Sequence, residues 1–360
     1  MNHLSYTRGP QDKPLLAMTV GAAFDATVER FAQREALVVR HQSLRYTWAE
    51  LAEVVNGVAR AFLALGLRPG DRLGIWAPNC AQWCITQFAS AKVGAVLVNI
   101  NPAYRVNELE YALKQSGCRW LVCADAFKTS DYHGMLADLL PELGQGRPGE
   151  LSSDRLPELR GVISLSDTAP AGFLRWSQLE PLGRGIAAAE LAERQALLQF
   201  DEPINIQYTS GTTGFPKGAT LSHYNILNNG LMVGDSLGLT EHDRLVIPVP
   251  LYHCFGMVMG NLGCLTHGST MIYPAPSFEP EATLAAVAQE KATALYGVPT
   301  MFIAELDHPT RRDFDLSSLR TGIMAGATCP IEVMRRVIDE MHMAEVQIAY
   351  GMTETSPVSL

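Results

Sequence analysis

The sequence lacks several features that mark common protein classes. No apolar run reaches the ~18 residues that a transmembrane helix needs, so no membrane span is predicted. The first residues carry no apolar signal core and no Arg/Ser-rich transit pattern, which predicts a cytoplasmic protein. Positive charge is also scarce, since 28 Lys and Arg stand against 37 Asp and Glu, for a net charge of −9. A protein that coats nucleic acid usually carries the opposite balance, so we expect no nucleic-acid partner.

Cysteine pairing is absent from the sequence in its usual forms. The seven cysteines are scattered, and no two are spaced as Cys-x-x-Cys. An odd, scattered set in a long chain predicts reduced, mostly buried thiols. The apolar content of 47% over 360 residues is enough to bury a large core, and the length suggests two or three domains.

Strand-like and helix-like segments alternate along most of the chain. This rhythm predicts an α/β protein with largely parallel sheets. The polar stretch at 144–156, rich in Gly, Pro and Ser, predicts a surface loop that joins two lobes. We accordingly divide the chain into a first α/β subdomain at 1–200 and a second at 201–360. Within the first, residues 35–40 and 43–46 predict a short hairpin.

A capping box is predicted directly after this hairpin. Thr47 is followed three residues later by Glu50, so the hydroxyl and the carboxylate can each satisfy a free backbone amide. Apolar periodicity then predicts a helix through Leu67.

The most specific motif is the segment Tyr208-Thr-Ser-Gly-Thr-Thr-Gly-Phe-Pro-Lys-Gly218. It follows an apolar strand, and we predict that a helix follows it. Glycines allow close backbone approach, and backbone amides with hydroxyls can donate to phosphate oxygens. Lys217 supplies a mobile positive charge. The predicted phosphate-binding residues are Thr209, Ser210, Gly211, Thr212, Thr213, Gly214 and Lys217.

The Walker pattern GxxxxGK[ST] does not fit this segment. Pro216 stands five places after Gly211, and Gly218 follows Lys217. An ordinary P-loop ATPase or GTPase is therefore not expected. A surface turn with a solvated lysine is the alternative, although such a density of hydroxyls and glycines is uncommon at a strand end.

The segment resembles the signature loop of the AMP-forming adenylate enzymes, which include acyl-CoA synthetases, peptide-synthetase adenylation domains and luciferases. Tyr350-Gly-Met-Thr-Glu354 resembles the Y-G-x-T-E box of the same family. Ala325-Gly326-Ala327 resembles its short adenine loop, with Ala where Gly is commoner. The resemblance runs from Ser5 to Leu360, and the stretch 250–256 is similar to the medium-chain acyl-CoA synthetase subgroup.

The resemblance implies a fold: the large N-terminal domain of the superfamily, with two βαβ-type subdomains whose mostly parallel sheets are flanked by helices. It also implies ATP, Mg²⁺ and coenzyme A as cofactors or cosubstrates, small-molecule partners, and fatty-acid activation through an acyl-adenylate. A homo-oligomer stays open. Glu354 would hold Mg²⁺, and Thr353 would donate to the α-phosphate. The implied adenine contacts are Gly326, Ala327, Tyr350 and Gly351.

Two further implied sites concern the acyl group. His253, in an apolar stretch, would line the acyl and adenylate site; the alternative is a core histidine with a satisfied hydrogen bond. Residues 296–300 would help to form the acyl tunnel, or are an ordinary strand–loop–helix junction. Lys217, Thr353, Glu354 and His253 together are the candidate catalytic residues.

Two other functions stay open. An aryl- or amino-acid-activating enzyme would need a different substrate tunnel, and residues 250–256 offer no carboxylate for an amino group. A non-catalytic ATP- or acyl-binding protein would bind MgATP without releasing pyrophosphate.

The family places a ribose-binding aspartate, a hinge and a small domain with a catalytic lysine after the Y-G-x-T-E box. The sequence here runs six residues beyond Glu354, so none of these roles can be assigned. Loss of one preorganised charge-stabilising group typically costs ~10²–10³ in rate. We therefore expect residues 1–360 alone to bind MgATP weakly and to turn over little or nothing.

Overall fold

The computed structural model describes residues 13–209 and 216–359, in which strands and helices alternate. The strands are β1 (Glu35–Val39), β2 (Leu44–Thr47), β3 (Arg72–Trp76), β4 (Val96–Asn99), β5 (Cys118–Cys123), β6 (Ala126–Phe127), β7 (Ser130–Asp131), β8 (Gly161–Ser164), β9 (Leu174–Arg175), β10 (Pro203–Thr209), β11 (Lys217–Ser222), β12 (Arg244–Val246), β13 (Thr270–Tyr273), β14 (Ala294–Gly297), β15 (Thr321–Ala325) and β16 (Glu345–Ala349).

The helices alternate with these strands, and a π-helix (Phe255–Leu262) runs directly into α9. The α-helices are α1 (Val20–Phe31), α2 (Trp48–Ala64), α3 (Ala81–Val93), α4 (Val106–Ser116), α5 (Tyr132–Leu139), α6 (Leu179–Arg184), α7 (Ala188–Ala196), α8 (His223–Ser236), α9 (Gly263–His267), α10 (Pro280–Glu290), α11 (Pro299–Leu306) and α12 (Ile331–Met341). No helix in the described part of the chain is both long and apolar enough to cross a membrane.

Two large sheets form from the described residues. The first has the order β11-β10-β4-β3-β5-β8-β9, and the second has the order β16-β15-β14-β12-β13-β1-β2. All neighbours are parallel except the pairs β10–β11 and β1–β2, which are antiparallel. A small hairpin, β6–β7, lies outside both. The predicted α/β fold with mostly parallel sheets is confirmed.

The two sheets exchange strands along the chain. The predicted hairpin forms as β1–β2, but β1 pairs with β13, with Leu37 opposite Met271. Conversely, β10 pairs with β4, with Ile206 opposite Val98, and so completes the first sheet. The predicted subdomain boundary at residue 200 therefore does not coincide with the division of strands between the sheets. Apolar periodicity identifies a strand but does not specify its partner.

The polar stretch at 144–156 does not join two lobes, and that prediction is wrong. Strand β5 precedes it and β8 follows it, and the two strands are parallel neighbours in one sheet, with Trp120 opposite Gly161. The stretch is part of the crossover that a parallel pair requires.

Helix α2 shows how local signals and packing combine. Its predicted capping box is confirmed: the Thr47 hydroxyl accepts from the Glu50 amide at 3.2 Å, and the Glu50 carboxylate accepts from the Thr47 amide at 2.8 Å. The helix ends at Ala64, before the predicted Leu67. Its buried face, which includes Leu51 and Phe62, joins the main core. Burying one such side chain stabilises the fold by ~1.5–3 kcal/mol.

The cysteines are reduced and mostly buried, as the sequence predicted. All seven cysteines are free, and Cys329 is the one that is not fully buried. Burial raises the pKa of Cys80 and Cys84 to about 12, so these thiols are unreactive at neutral pH.

Candidate active site

A cavity of about 870 Å³ lies where loops from both sheets meet. Parallel strands bring the loops at their carboxyl ends to one edge, which is where open α/β sheets place their ligands. Residues that follow or end β4, β10, β12, β15 and β16 line it. They are Asn101, Gln207, Tyr208, Thr209, Tyr252, His253, Cys254, Phe255, Met259, Ala325, Gly326, Ala327, Thr328, Cys329, Ile348, Ala349, Tyr350, Gly351, Met352, Thr353, Glu354, Pro357 and Val358.

The predicted phosphate loop connects two antiparallel strands. Thr209 ends β10 and lies opposite Lys217, the first residue of β11. A helix follows as predicted: α8 begins at His223, with the Ser222 hydroxyl accepting from the Asn225 amide. Strand β11, which was not predicted, separates the loop from this helix. Ser210, Gly211, Thr212, Thr213 and Gly214 lie outside the described residues.

The predicted Y-G-x-T-E segment folds back on itself after β16. Gly351 forms an antiparallel bridge with Val358, and the Met352 amide donates to the Pro357 carbonyl at 3.0 Å. Asn229 on α8 holds the returning strand through two bonds to Val358: its Nδ2 donates to the carbonyl at 2.9 Å, and its Oδ1 accepts from the amide at 3.2 Å. This anchored turn presents Met352, Thr353 and Glu354 to the cavity.

Three candidate catalytic residues come together at the cavity wall. Thr209 Oγ1 donates to Glu354 Oε1 at 3.3 Å, which joins the end of β10 to the Y-G-x-T-E segment. The buried Thr353 hydroxyl lies 3.7 Å from Cys254 Sγ, next to His253. Thr353, Glu354 and His253 therefore lie at one cavity with Thr209, the start of the predicted phosphate loop. Lys217 is exposed and begins β11 opposite Thr209, but it is not among the described residues that line the cavity.

His253 is a cavity residue rather than a core histidine. Its Nδ1 accepts from the Phe255 amide at 3.1 Å, so in the neutral ring the proton is carried by Nε2. His253 is exposed to the cavity, but the protein atoms around the ring desolvate it in part and lower the pKa of His253 from its usual 6.5. The ring is thus neutral at pH 7 and offers one N–H donor. Cys254 beside it is a poor nucleophile, because burial raises the pKa of its thiol to about 11.

The predicted adenine contacts line one part of the same cavity. Gly326 follows β15 with a φ of 82°, a left-handed conformation that favours glycine. Ala327 follows it, and Tyr350 and Gly351 approach from the end of β16. Tyr350 is 65% exposed, so its ring has a free surface.

Residues 296–300, predicted to help form the acyl tunnel, do not themselves line the cavity. Tyr296 is fully buried, its hydroxyl donates to the Met259 carbonyl at 3.2 Å, and its ring centroid lies 5.4 Å from that of Phe255. Met259 and Phe255 line the cavity, so Tyr296 supports the wall from behind.

Sequence reasoning missed Asn101, Gln207 and Tyr252 as lining residues. A signal was present for Asn101, since a polar residue just beyond the carboxyl end of a parallel strand is a candidate in any such sheet. Gln207 gave none, because it lies within a strand; its Nε2 donates to Asn205 Oδ1 at 2.9 Å.

The family is decided by comparison with known proteins. The profile described as AMP-binding enzyme matches residues 24–360. The chain belongs to this family. The AMP-binding chain is 45% identical over 360 residues to the medium-chain acyl-CoA ligase ACSF2, mitochondrial, of Mus musculus, covering 99% of the chain and 58% of that relative. It is 44% identical over 344 residues to the putative acyl-CoA synthetase YngI of Bacillus subtilis, covering 96% of the chain and 62% of that relative. The chain thus spans about three fifths of the length of both relatives.

Solved structures support the fold of this AMP-binding chain. The N-terminal domain of FACL13 from Mycobacterium tuberculosis superposes with a TM-score of 0.76 at 23% identity, covering 94% of this chain and 77% of that one. The anthranilate CoA ligase AuaEII, solved with anthranoyl-AMP, gives a TM-score of 0.80 at 22% identity, and the match covers 98% of this chain and 63% of that one. The predicted N-terminal-domain fold of the adenylate-forming enzymes is confirmed.

Proposed function

We propose that this chain forms the nucleotide- and acyl-binding part of an AMP-forming acyl-CoA ligase that activates a medium-chain fatty acid. The observation that carries the proposal is the meeting of Thr209 and Glu354 in the large cavity. In the proposed reaction the fatty-acid carboxylate attacks the α-phosphate of ATP, and pyrophosphate leaves. The thiol of coenzyme A then attacks the acyl-adenylate and releases AMP.

Different polar residues of the site would bind the phosphates of ATP and the fatty-acid carboxylate. Thr209 and the neighbouring loop, with the charge of Lys217, would hold the departing β- and γ-phosphates. Thr353 would donate to the α-phosphate. The Nε2–H of His253 would donate to the fatty-acid carboxylate and fix its direction of attack, which is the kind of positioning that phosphoryl chemistry depends on.

Magnesium fits the donors that are present. In the described residues no group of three or more His, Cys, Asp or Glu is arranged to hold a metal ion. Mg²⁺ does not require one, because it usually binds through one or two carboxylates together with substrate phosphates and water. Glu354 is the carboxylate of the cavity and would hold Mg²⁺ with the phosphates of ATP. When bound, the ion would neutralise phosphate charge.

The cavity lining favours a fatty acid over an amino acid. Glu354 is the one carboxylate among the described lining residues, and its proposed role is already taken by the ion. Phe255 and Met259 offer apolar surface for an alkyl chain. The names of the relatives support the medium-chain assignment, and we keep the predicted cytoplasmic location as part of the proposal.

The deciding experiment compares pyrophosphate release from MgATP and octanoate by the wild type and by Lys217→Ala. We expect the wild type to release pyrophosphate in an octanoate-dependent way, more slowly than the ~1–10³ s⁻¹ typical of enzymes, and Lys217→Ala to lower that rate a further ~10²–10³. Lys291→Ala is the matched control, since Lys291 is exposed and pairs with Asp315. Release that is unchanged in Lys217→Ala would overturn the role of the loop.

Two further outcomes separate the alternatives. MgATP binding with no pyrophosphate release would favour a non-catalytic nucleotide-binding protein. The absence of any MgATP-dependent thermal shift would overturn the proposed function. That residues 1–360 alone turn over little stays a prediction, which acyl-CoA formation at the ~1–10³ s⁻¹ typical of enzymes would contradict.

A further inference from the structure

Helix α4 is bonded to the chain on both sides of residues 210–215. On the amino-terminal side, the Tyr208 hydroxyl donates to the Ala112 carbonyl at 2.9 Å. On the carboxyl-terminal side, the Tyr111 hydroxyl donates to the Pro216 carbonyl at 3.2 Å. The two tyrosine rings meet edge to face, with their centroids 6.5 Å apart. One helix therefore holds both stems of the predicted phosphate loop.

The Tyr111 hydroxyl is oriented by a neighbour on its own helix. Gln115, one turn later, donates from Nε2 to Tyr111 Oη at 2.9 Å. Residues four apart lie on the same helix face, so this bond needs no distortion of α4. The hydroxyl oxygen thus accepts from Gln115 while the hydroxyl donates to the Pro216 carbonyl. Linked bonds of this kind polarise and strengthen one another.

The bond from Tyr111 reaches the residue that directly precedes Lys217. In the described part of the first sheet, β11 is an edge strand whose one partner is β10. Lys217 begins that strand and directly follows Pro216, so the first sheet restrains it from one side only. The bond from α4 to Pro216 supplies a second restraint, one residue away from the lysine.

We propose that Tyr111, oriented by Gln115, is a positioning residue that holds Lys217 in place for MgATP. This inference rests on the proposed function, since it assigns Lys217 to the phosphates. It implies that the hydroxyl of Tyr111 contributes to nucleotide affinity without touching the nucleotide.

The first test measures the Kd of MgATP and of octanoate for Tyr111→Phe. We expect MgATP binding to weaken about three- to tenfold, the loss of one neutral hydrogen bond, while octanoate binding stays within twofold. Gln115→Leu should weaken MgATP binding in the same direction. The matched control is Tyr46→Phe, because Tyr46 is also half-buried but lies in β2 of the other sheet. An unchanged MgATP Kd in Tyr111→Phe would overturn the inference.

The second test needs no nucleotide. Hydrogen exchange of the backbone amides at 217–222 should be faster in Tyr111→Phe than in the wild type and unchanged in Tyr46→Phe. If the wild type fails to bind MgATP, the proposed function fails, and the exchange still decides the stem contact. Equal exchange in Tyr111→Phe and the wild type would overturn the inference by itself.

Discussion

Thr209 Oγ1 donates a 3.3 Å hydrogen bond to Glu354 Oε1, and these residues are 145 positions apart. Thr209 ends a strand of the first sheet, and Glu354 belongs to the turn that follows β16, the edge strand of the second. The polar corner of the cavity is thus built from both sheets. Neither motif forms it alone.

Replacing Glu354 with Gln should separate the charge of this residue from its shape. The carboxamide can still accept from Thr209 but supplies no negative charge for Mg²⁺. Hydrogen bonds and contacts to charged groups are worth ~1.5–3 kcal/mol, so MgATP affinity should fall by roughly tenfold or more. The measurement is the MgATP-dependent rise in melting temperature. Glu332→Gln, on an exposed face of α12, is the control, and an equal rise in Glu354→Gln and the wild type would contradict the assignment.

Gly351 should tolerate no side chain. A Cβ at this position would lie 1.9 Å from the Pro357 carbonyl oxygen, so Gly351→Ala must open the turn that presents Thr353. We expect a loss of ~1–3 kcal/mol in the free energy of unfolding, measured by urea denaturation, and weaker MgATP binding. Gly57→Ala is the matched control, because a Cβ there meets nothing within 4 Å and lies inside α2. That variant should be stabilised by ~0.5–1 kcal/mol, and equal effects of the two changes would refute the argument.

His223 should make stability depend on pH. The ring is 1% exposed, its Nδ1 accepts from the Val20 amide at 3.1 Å, and burial lowers the pKa of His223 from 6.5 to about 4. Between these values the unfolded chain binds more protons than the folded chain. The stabilisation that the neutral, buried His223 ring gives the fold is therefore complete above pH 6.5 and is lost as the pH falls toward 4.

The His223→Gln variant removes this titration. When the pH is lowered from 7 to 5, the free energy of unfolding of the wild type should decrease by about 2 kcal/mol more than that of His223→Gln. His242→Gln serves as the control, since the His242 side chain is 74% exposed. Parallel pH profiles for His223→Gln and the wild type would show that the buried ring does not titrate in this range.

We expect the buried carboxyl of Glu305 to lower the free energy of unfolding of the protein. It is 1% exposed on α11, and neither carboxylate oxygen has a hydrogen-bond partner among the described residues. Burial raises the pKa of Glu305 well above 4.5, which keeps the group protonated in the folded chain. Glu305→Met has a similar volume and no polar atom to desolvate, so it should stabilise the protein by ~1–3 kcal/mol.

The pH dependence of that gain has a definite sign. Above pH 4.5 the unfolded Glu305 releases its proton and the folded one retains it, so the wild type loses stability as the pH rises. The gain from Glu305→Met should therefore be larger at pH 8 than at pH 5. A wild type more stable than Glu305→Met at pH 8 would show that the carboxyl has an unrecognised partner. Glu332→Met, which is exposed, should change stability by no more than about 0.5 kcal/mol.

The elements with strong local signals were predictable from the sequence. The hairpin β1–β2 and the capping box of α2 form as predicted, because each depends on residues that are close together in the sequence. Strand β11 was not predicted, because its start, Lys-Gly-Ala-Thr, carries little apolar signal. The π-helix was also missed: every residue from 255 to 262 is buried, so its apolar pattern has no period.

The candidate site was predictable as a set of motifs and not as a geometry. The motifs at Tyr208 and Tyr350 named Thr209, Thr353 and Glu354, and the fold brings these together. The hydrogen bonds that hold these segments in place could not be predicted from the sequence. The bonds of Asn229 to Val358 and of Tyr111 to Pro216 join positions more than a hundred residues apart, with no local pattern to announce them.

Ribosomal synthesis delivers the described strands in an order that leaves the first sheet incomplete until β11 and the second until β16. The hairpin β1–β2 emerges early, yet Thr270, whose hydroxyl donates to the Glu35 carbonyl, is made 235 positions later. Strand β4 likewise waits for β10. Unpaired strand edges on a nascent chain invite aggregation, and domains that are complete early avoid it. In a nascent chain the edges of β1 and β4 therefore stay unpaired until β13 and β10 have been translated.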